Sequence, residues 1–371
     1  MGSCTRFHRR GAGESFAQEA DIIETRMTRL LGVDHPVMNA GMGHVAVAGL
    51  VAAVSEAGGL GLLATSPLSP DSVRREVRAI RERTQRPFGA NLTLAFETAR
   101  ANAEVLIDER VPVVNLSLGL APEIVDAVHA YGGRVVSTVT TRRHARKAEA
   151  GGVDALIVTG HEAAGHGSGV SSLVLVPLVA REVGIPVIAA GGLADGAGLA
   201  AALMLGADGI SMGTRFALSA ESPVHARVVE ALLAASEHDT MVTDRIDGLP
   251  SRLFASQRAA TLASLSGPVR ALRHLPRLRR ALDLSWTQVV GIAFRAGREL
   301  PDRAGSIGLA GDTFAAVREG DTDRGVVALG EVVGAIDELR SCREIIERVV
   351  EEAEARLADP LRDREGDQGV A

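Results

Sequence analysis

The sequence contains almost no lysine. Lys147 is the only one among 371 residues, and arginine supplies nearly all of the positive charge. Enzymes that form a Schiff base with their substrate need a lysine in the active-site pocket. Lys147 lies in the polar, helix-like segment RRHARKAEA. The sequence therefore argues strongly against Schiff-base chemistry.

Cysteine and aromatic residues are also scarce. Cys4 and Cys342 stand at opposite ends of the chain, so neither a disulfide framework nor a cysteine-rich zinc site is predicted, and we expect no metal. Aromatic residues make up 3% of the chain, whereas there are 41 glycines. This bias favours close packing of helices on a sheet, with many tight turns.

The net charge and the lack of long apolar runs argue against nucleic-acid and membrane partners. The formal net charge is −6, which argues against nucleic-acid binding. No run of about 20 apolar residues is present, so no membrane span is predicted. The N-terminal segment MGSCTRFHRRGAGES lacks the apolar run of a secretory signal. We expect a cytoplasmic protein with a small-molecule substrate. The sequence leaves open whether the protein forms a homo-oligomer.

A repeated pattern of apolar strand, small-residue loop and amphipathic helix begins near residue 27. Helices are predicted near 45–57, 71–84, 97–110, 122–131, 142–150, 172–183 and 196–205. The strands between them are continuous apolar runs, which is typical of parallel strands covered on both faces. We predict strands at Val37–Asn39, Gly61–Ala64, Gly89–Leu92, Val113–Leu116, Arg134–Val139, Ala155–Val158, Val187–Ala190 and Gly209–Met212. Eight such units favour an α/β fold of the (β/α)8 TIM-barrel class over 27–215.

A doubly wound open sheet is the competing fold, but Gly41-Met42-Gly43 does not match the GxGxxG motif of dinucleotide-binding folds.

We expect the rest of the chain to be appended to the barrel. Residues 1–26 are predicted to be a poorly ordered tail and 359–371 a frayed one. Residues 216–324 are interpreted as a helical cap or insertion, with helices near 223–237 and 281–296 and no strands. Residues 325–358 are predicted to form a C-terminal helix that packs back on the barrel.

The loop after the sixth strand carries the residues best suited to proton transfer. Barrel active sites form at the carboxyl ends of the strands, and GHEAAGHGS follows the strand at 155–158. His166 stands between two glycines, and histidine is the residue type whose charge changes near neutral pH. We predict that it removes a proton from a carbon acid or binds an anion. His161 is a weaker candidate, and Glu162 is expected to orient the loop or a neighbour by hydrogen bonds.

Two glycine turns indicate a phosphate site. Gly191-Gly192 follows the seventh strand and Gly213-Thr214 the eighth, where barrels often bind phosphate through main-chain N–H groups. Thr214 can add a hydroxyl group and Arg215 a charge. Met42, after the first strand, can pack against a planar ring, and Asn91 can hydrogen-bond the edge of a heterocycle.

Five segments resemble the nitronate monooxygenase family, formerly called 2-nitropropane dioxygenases, whose members are FMN-dependent (β/α)8 barrels. They are PVMNAGM (36–42), FGANLTL (88–94), GHEAAGHGS (160–168), AAGGLADGAGLAAALMLGADGISMGTRF (189–216) and GEVVGAI (330–336). The resemblance implies that His166 is the catalytic histidine. It also implies FMN contacts at Ala40, Met42, Asn91, Thr159, Ala164, Gly191, Gly192, Ser211, Met212, Gly213 and Thr214.

The sequence departs from the family pattern at three of these positions. Ala164 stands where glycine is usual, and Thr159 and Ser211 stand where glutamine is common. Some polar contacts to the flavin are therefore expected to differ. In the segment 216–324 we identify no motif of the family, although substrate specificity would be determined there.

The activity implied by the resemblance is FMN-dependent oxidative denitrification of alkyl nitronates or nitroalkanes with O2. An alternative on the same scaffold is an NAD(P)H-dependent FMN reductase of an enoyl thioester or a quinone. A second alternative is a barrel that binds a phosphorylated metabolite without redox chemistry. The absence of a barrel lysine and of clustered carboxylates argues against most isomerases of that last kind.

Overall fold

A computed structural model describes residues 23–66, 68–245, 248–264, 312–321 and 325–359. Eight strands form the sheet: β1 Val37–Asn39, β2 Gly61–Ala64, β3 Phe88–Thr93, β4 Val113–Ser117, β5 Arg134–Val139, β6 Ala155–Thr159, β7 Val187–Ala190 and β8 Gly209–Met212. Helix α1 Arg26–Leu31 precedes them. Between the strands lie α2 Ala48–Glu56, α3 Pro70–Arg83, α4 Ala99–Asp108, α5 Pro122–Ala130, α6 Arg142–Ala150, α7 Ser172–Ala180 and α8 Gly196–Met204.

The chain after β8 forms a second group of elements. These are α9 Thr214–Ala217, α10 Ala226–Leu233, β9 Thr240–Thr243, β10 Ser251–Phe254, α11 Gln257–Ser264, the 3-10 helix Glu331–Ala335 and a last helix, Cys342–Ala358. A further helix, α12, spans 312–319, so the last helix is α13.

The eight strands are parallel and close into a barrel. Each strand from β2 to β7 pairs with the next strand in the chain, and β8 also pairs with β1. A bridge between Met38 and Leu60 joins β1 to β2. The Asn39 amide adds two bonds, because Leu62 N donates to its Oδ1 at 2.8 Å and its Nδ2 donates to Leu62 O at 2.9 Å. The predicted (β/α)8 barrel is confirmed. Five predicted strands have the observed bounds, and β3, β4 and β6 are one residue longer at one or both ends.

Helix α1 closes the amino end of the barrel. Met27 and Leu31 belong to the apolar cluster that fills the barrel interior, and a Cβ at Gly209 would collide with the Met27 sulfur. Arg26 donates from Nε and Nη2 to the Asp208 carboxylate, both at 2.8 Å. Thr25 caps the helix. The predicted boundary of the tail at residue 26 is therefore wrong, and residues 1–22 lie outside the described chain.

The last helix, α13, is the eighth helix of the barrel. It packs against α8 and α2, with Ile346, Val349 and Val350 buried. A Cβ at Gly196 would collide with Glu352, whose carboxylate accepts the Gly196 N–H at 3.2 Å. Residues 213–341 are thus an insertion between β8 and its helix.

The predicted continuous helix over 325–358 is wrong. A 3-10 helix covers Glu331–Ala335, and α13 begins only at Cys342. The reason lies in a capping box, in which Ser341 and Glu344 satisfy each other's main-chain N–H groups and define a new helix start.

The insertion also contains strands that were not predicted. β9 and β10 pair antiparallel, with Thr240 opposite Phe254. Both strands have only four residues, and β10 buries Arg252, so no alternation of apolar and polar residues marks them. The helix predicted near 223–237 is the shorter α10. The helix predicted near 281–296 lies outside the described residues.

Candidate active site

The turn after β7 packs directly against the loop after β6. Gly191 and Gly192 have φ angles of 98° and 76°, a conformation that only glycine adopts readily. A Cβ at Gly191 would lie 3.1 Å from Ala163 N, and one at Gly192 would lie 3.3 Å from Glu162 Cβ. The main chain at Gly192 remains exposed to solvent.

The turn after β8 begins helix α9. The first N–H groups of a helix have no partner within it. Nothing in the described part of the chain accepts a hydrogen bond from the N–H groups of Gly192, Gly213 or Thr214. Thr214 is buried, and its hydroxyl oxygen accepts the Gly330 N–H at 3.1 Å. Glu331 N donates to Glu162 O at 3.0 Å, so the segment at 330–331 joins the β6 and β8 loops.

Arg215 does not contribute the charge that the sequence predicted for the phosphate site. Its guanidinium is buried and donates from Nη2 to the carbonyl oxygens of Leu218 and Glu338, both at 2.8 Å. Burial lowers the pKa of Arg215 below its usual value, and nearby Arg340 acts in the same direction. Arg215 therefore ties α9 to the segment before α13.

The loop after β1 lies beside the β8 turn. Ala40 N donates to Met212 O at 3.0 Å. A Cβ at Gly213 would lie 3.7 Å from both Ala40 Cβ and Met42 Sδ, an ordinary contact distance, so the space beside Gly213 is open. A Cβ at Gly41 would collide with the Asn91 side chain. The predicted residues Ala40, Met42, Asn91 and Gly213 are thus brought together.

A row of polar side chains crosses the ends of β3, β4 and β5. Asn115 Nδ2 donates to Asn91 Oδ1 at 2.7 Å, and the Thr138 hydroxyl group donates to Asn115 Oδ1 at 3.1 Å. Asn91 Nδ2 donates one hydrogen to Thr93 Oγ1 at 3.2 Å. Its second hydrogen has no acceptor among the described residues and is available to a ligand.

His166 lies at the centre of a three-residue turn. Gly167 N donates to Gly165 O at 3.1 Å, which is the hydrogen bond of a γ-turn. The His166 side chain is half-buried, whereas His161 is exposed. Glu162 orients the loop as expected, because both carboxylate oxygens accept the Ser172 N–H at 3.0 Å at the start of α7.

The other predicted positions lie at the same carboxyl end. Thr159 ends β6, Ser211 and Met212 end β8, and all three are buried. Ala164 N lies 3.5 Å from the position of a Cβ at Gly330. The loops that carry the predicted phosphate turns and His166 therefore lie together at the carboxyl end of the barrel.

Sequence reasoning missed Arg252, a buried residue of β10 that contacts the loop between β6 and α7. Its guanidinium donates to His161 O, and its main chain pairs with Gly165. No local motif surrounds it, so only the fold could reveal it.

The described residues contain no group of three or more His, Cys, Asp or Glu side chains placed to bind a metal ion. Among the described helices, none is long and apolar enough to cross a membrane. The groups that lie at the carboxyl end of the barrel are main-chain N–H groups without acceptors among the described residues, amides, a thioether and an imidazole.

Comparison with known proteins identifies the family of the chain. The family model of nitronate monooxygenase matches residues 24–102 and 93–352. The nitronate monooxygenase of Pseudomonas aeruginosa is 33% identical over 282 residues, which cover 62% of this chain and 80% of that protein.

Two relatives align over more of the chain. The (3aS,4S,5R,7aS)-5-hydroxy-7a-methyl-1-oxo-octahydro-1H-indene-4-carboxyl-CoA dehydrogenase of Mycobacterium tuberculosis is 38% identical over 343 residues, covering 89% of this chain and 96% of that protein. The structure of FabK from Thermotoga maritima superposes with a TM-score of 0.77 at 36% identity, covering 91% of this chain and 98% of that one. The chain is an oxidoreductase that belongs to the nitronate monooxygenase family.

Proposed function

We propose that the protein binds FMN across the carboxyl end of the barrel and uses it to oxidise or reduce carbon next to an activating group. The observation that carries this proposal is the pair of glycine turns after β7 and β8. Their N–H groups at Gly192, Gly213 and Thr214 have no acceptor among the described residues. Oriented main-chain amides of this kind bind a phosphate group well.

The surrounding residues fit the rest of the cofactor. The open space beside Gly213, next to Ala40 and Met42, suits a flat apolar ring. Asn91 retains one amide hydrogen for the ring edge. Bound FMN would supply the electron transfer, and the protein would supply position, exclusion of water and a proton donor or acceptor.

His166 is the residue we assign to proton transfer at the reacting carbon. Its γ-turn holds the half-buried imidazole on the loop that packs against the Gly191-Gly192 turn. Gly330 and Glu331 join this loop to the turn after β8. Histidine is the side chain that enzymes use most often for general acid–base catalysis. Either a nitro group or a thioester carbonyl acidifies the neighbouring C–H bond, so both substrate classes use the same imidazole.

The substrate class we favour is a CoA thioester, interconverted with its α,β-unsaturated form. Two CoA-thioester dehydrogenases are 38% and 36% identical to this chain over 89% and 90% of its length. The nitronate monooxygenase of Pseudomonas aeruginosa aligns over only 62% of the chain. The likeness to the dehydrogenases therefore extends over more of the chain than the likeness to this nitronate monooxygenase.

Oxidation of a nitronate with O2 is the second candidate, supported by the family match over most of the chain. Anaerobic reduction of the bound flavin separates the two. Rapid bleaching by NADH or NADPH, followed by reoxidation with an enoyl-CoA, supports the thioester activity. Bleaching by a nitronate alone supports the nitronate activity. A colourless protein that takes up no added FMN contradicts both and favours a barrel without redox chemistry.

A further inference from the structure

Arg252 forms several hydrogen bonds with the β6–α7 loop (residues 160–171), although it lies 91 residues after His161 in the chain. Its Nε and Nη2 donate to His161 O at 3.2 and 3.1 Å. Its main chain exchanges two hydrogen bonds with Gly165, at 3.0 and 2.9 Å. One residue of the insertion thus holds both ends of the segment 161–165, which leads directly into His166.

The guanidinium is itself held in place. Nη1 forms an ion pair with Glu331 Oε1 at 2.8 Å and donates to Thr240 Oγ1 at 2.9 Å. The Arg252 side chain is 5% exposed, whereas that of Glu331 is 35% exposed. Glu331 in turn donates its N–H to Glu162 O. The arginine therefore connects β9 and the 3-10 helix to the loop.

The loop needs such an external support. Between Gly160 and Gly169 it contains only glycine, alanine, serine, histidine and glutamate, so it has no large apolar side chain to anchor it in the core. Glycine-rich segments lose much conformational freedom when they are ordered. Only an arginine presents donors in a planar fork that can reach a carbonyl, a hydroxyl and a carboxylate together, and a lysine cannot replace all of these bonds.

We infer that Arg252 is a positioning residue for the proton transfer: it keeps the segment 161–165, and with it His166, in the reactive geometry. The inference rests on the proposed function for the role of His166. Among the described residues, no hydrogen bond joins Arg252 to the turns at Gly192 and Gly213. Replacing Arg252 should therefore lower turnover rather than weaken cofactor binding.

The test compares Arg252→Met and Arg252→Lys with the matched variant Arg258→Lys. Arg258 is another arginine of the insertion, with an 11% exposed side chain and a carboxylate partner, Asp312 at 3.0 Å. We expect Arg252→Met to lower kcat about 100-fold, the size of effect that a misplacement of about 1 Å can cause. Arg252→Lys should recover about a tenth of wild-type kcat, and KM and the Kd for FMN should stay within about threefold. Arg258→Lys should leave kcat unchanged.

Hydrogen exchange of peptides covering 160–171, measured without FMN, gives a readout independent of activity. Exchange should be faster in Arg252→Met than in wild type and unchanged in Arg258→Lys. Unchanged exchange in Arg252→Met overturns the inference. Faster exchange in Arg252→Met together with a normal kcat also overturns it. So does a loss of kcat in Arg258→Lys equal to that in Arg252→Met. If the wild-type protein binds no FMN, the proposed function fails, while the exchange data still decide whether Arg252 orders the loop.

Discussion

At the amino end of the barrel, Met27 and Leu31 fill the opening and Arg26 pairs with Asp208. At the carboxyl end of the same strands, Asn91 and Asn115 meet in a polar row, and the neighbouring turns are glycines. At the amino end the Asp208 carboxylate is paired with Arg26, whereas at the carboxyl end the N–H groups of Gly192, Gly213 and Thr214 have no acceptor among the described residues. In barrels of this kind, such a division separates stability from function. Substitutions at the two ends should therefore have different consequences.

The largest effect is expected at His166. Replacing it with Asn should lower kcat about 10²–10⁴-fold, because general acid–base catalysis contributes an effect of that size. FMN content and thermal unfolding should match wild type, since the side chain is half-buried in a surface loop. Steady-state turnover and flavin absorbance measure both.

His161→Asn is the matched control for that variant, because His161 lies in the same loop with its side chain exposed. It should retain nearly full turnover. Equal losses in the two variants would contradict the assignment of proton transfer to His166.

The next largest effect is expected at Gly213. Its φ of −95° is accessible to any residue, so Gly213→Val does not strain the backbone. The new side chain occupies the open space beside Met42, and the Kd for FMN should rise at least about tenfold, equivalent to about 1.4 kcal/mol. Flavin fluorescence titration measures this change.

Gly49→Ala provides the comparison for the glycine substitution. Gly49 lies in α2, and nothing is within 4 Å of the position of its Cβ. Alanine should stabilise the helix by about 0.5–1 kcal/mol and leave FMN binding unchanged. If Gly213→Val bound FMN as tightly as this control, the cofactor would have to lie elsewhere.

At the amino end, Asp208→Ala should lower stability without lowering kcat. The Asp208 carboxylate accepts two bonds from Arg26 and one from Val187 N at 2.9 Å. Losing them should cost about 2–3 kcal/mol in the free energy of unfolding, measured by denaturant titration. The exposed Asp126 serves as control, and Asp126→Ala should change stability by less than about 0.5 kcal/mol. A loss of activity in folded Asp208→Ala protein would contradict the assignment of the amino end to stability alone.

The smallest effect concerns His35, next to β1 at the amino end. Burial lowers the pKa of His35, and the charges of Asp34 and Glu347 oppose this only in part. Nδ1 is buried without a partner among the described residues. Since the unfolded chain takes up a proton at higher pH, stability should fall as the pH drops below about 6.5. His35→Gln should show a shallower fall between about pH 7 and 5, and identical slopes would exclude His35 as the cause.

The two regions of the chain also differ in how well the sequence predicts them. Strands such as Val187–Ala190 are continuous apolar runs bounded by proline and glycine, so their bounds follow from local pattern. The positions of the turns at Gly191 and Gly213 also follow from the local sequence pattern. The insertion is different, because β10 is defined by its pairing with β9 and Gly165 rather than by an apolar pattern.

Single residues show the same limit. Arg215 follows a glycine turn and was predicted to face a phosphate, but burial against Leu218 and Glu338 determines its role. Arg252 has no local signature, because its partner His161 is distant in the sequence. Contacts between distant segments decide the function of both arginines, and no short motif records such contacts.

The late position of α13 has a consequence for biosynthesis. The apolar faces of α2 and α8 are complete once residue 204 has been made, but their cover begins only at Cys342. A ribosome must therefore add more than a hundred residues while these faces are exposed. Nascent chains stalled in the insertion should be bound by chaperones, and release should coincide with emergence of the final helix.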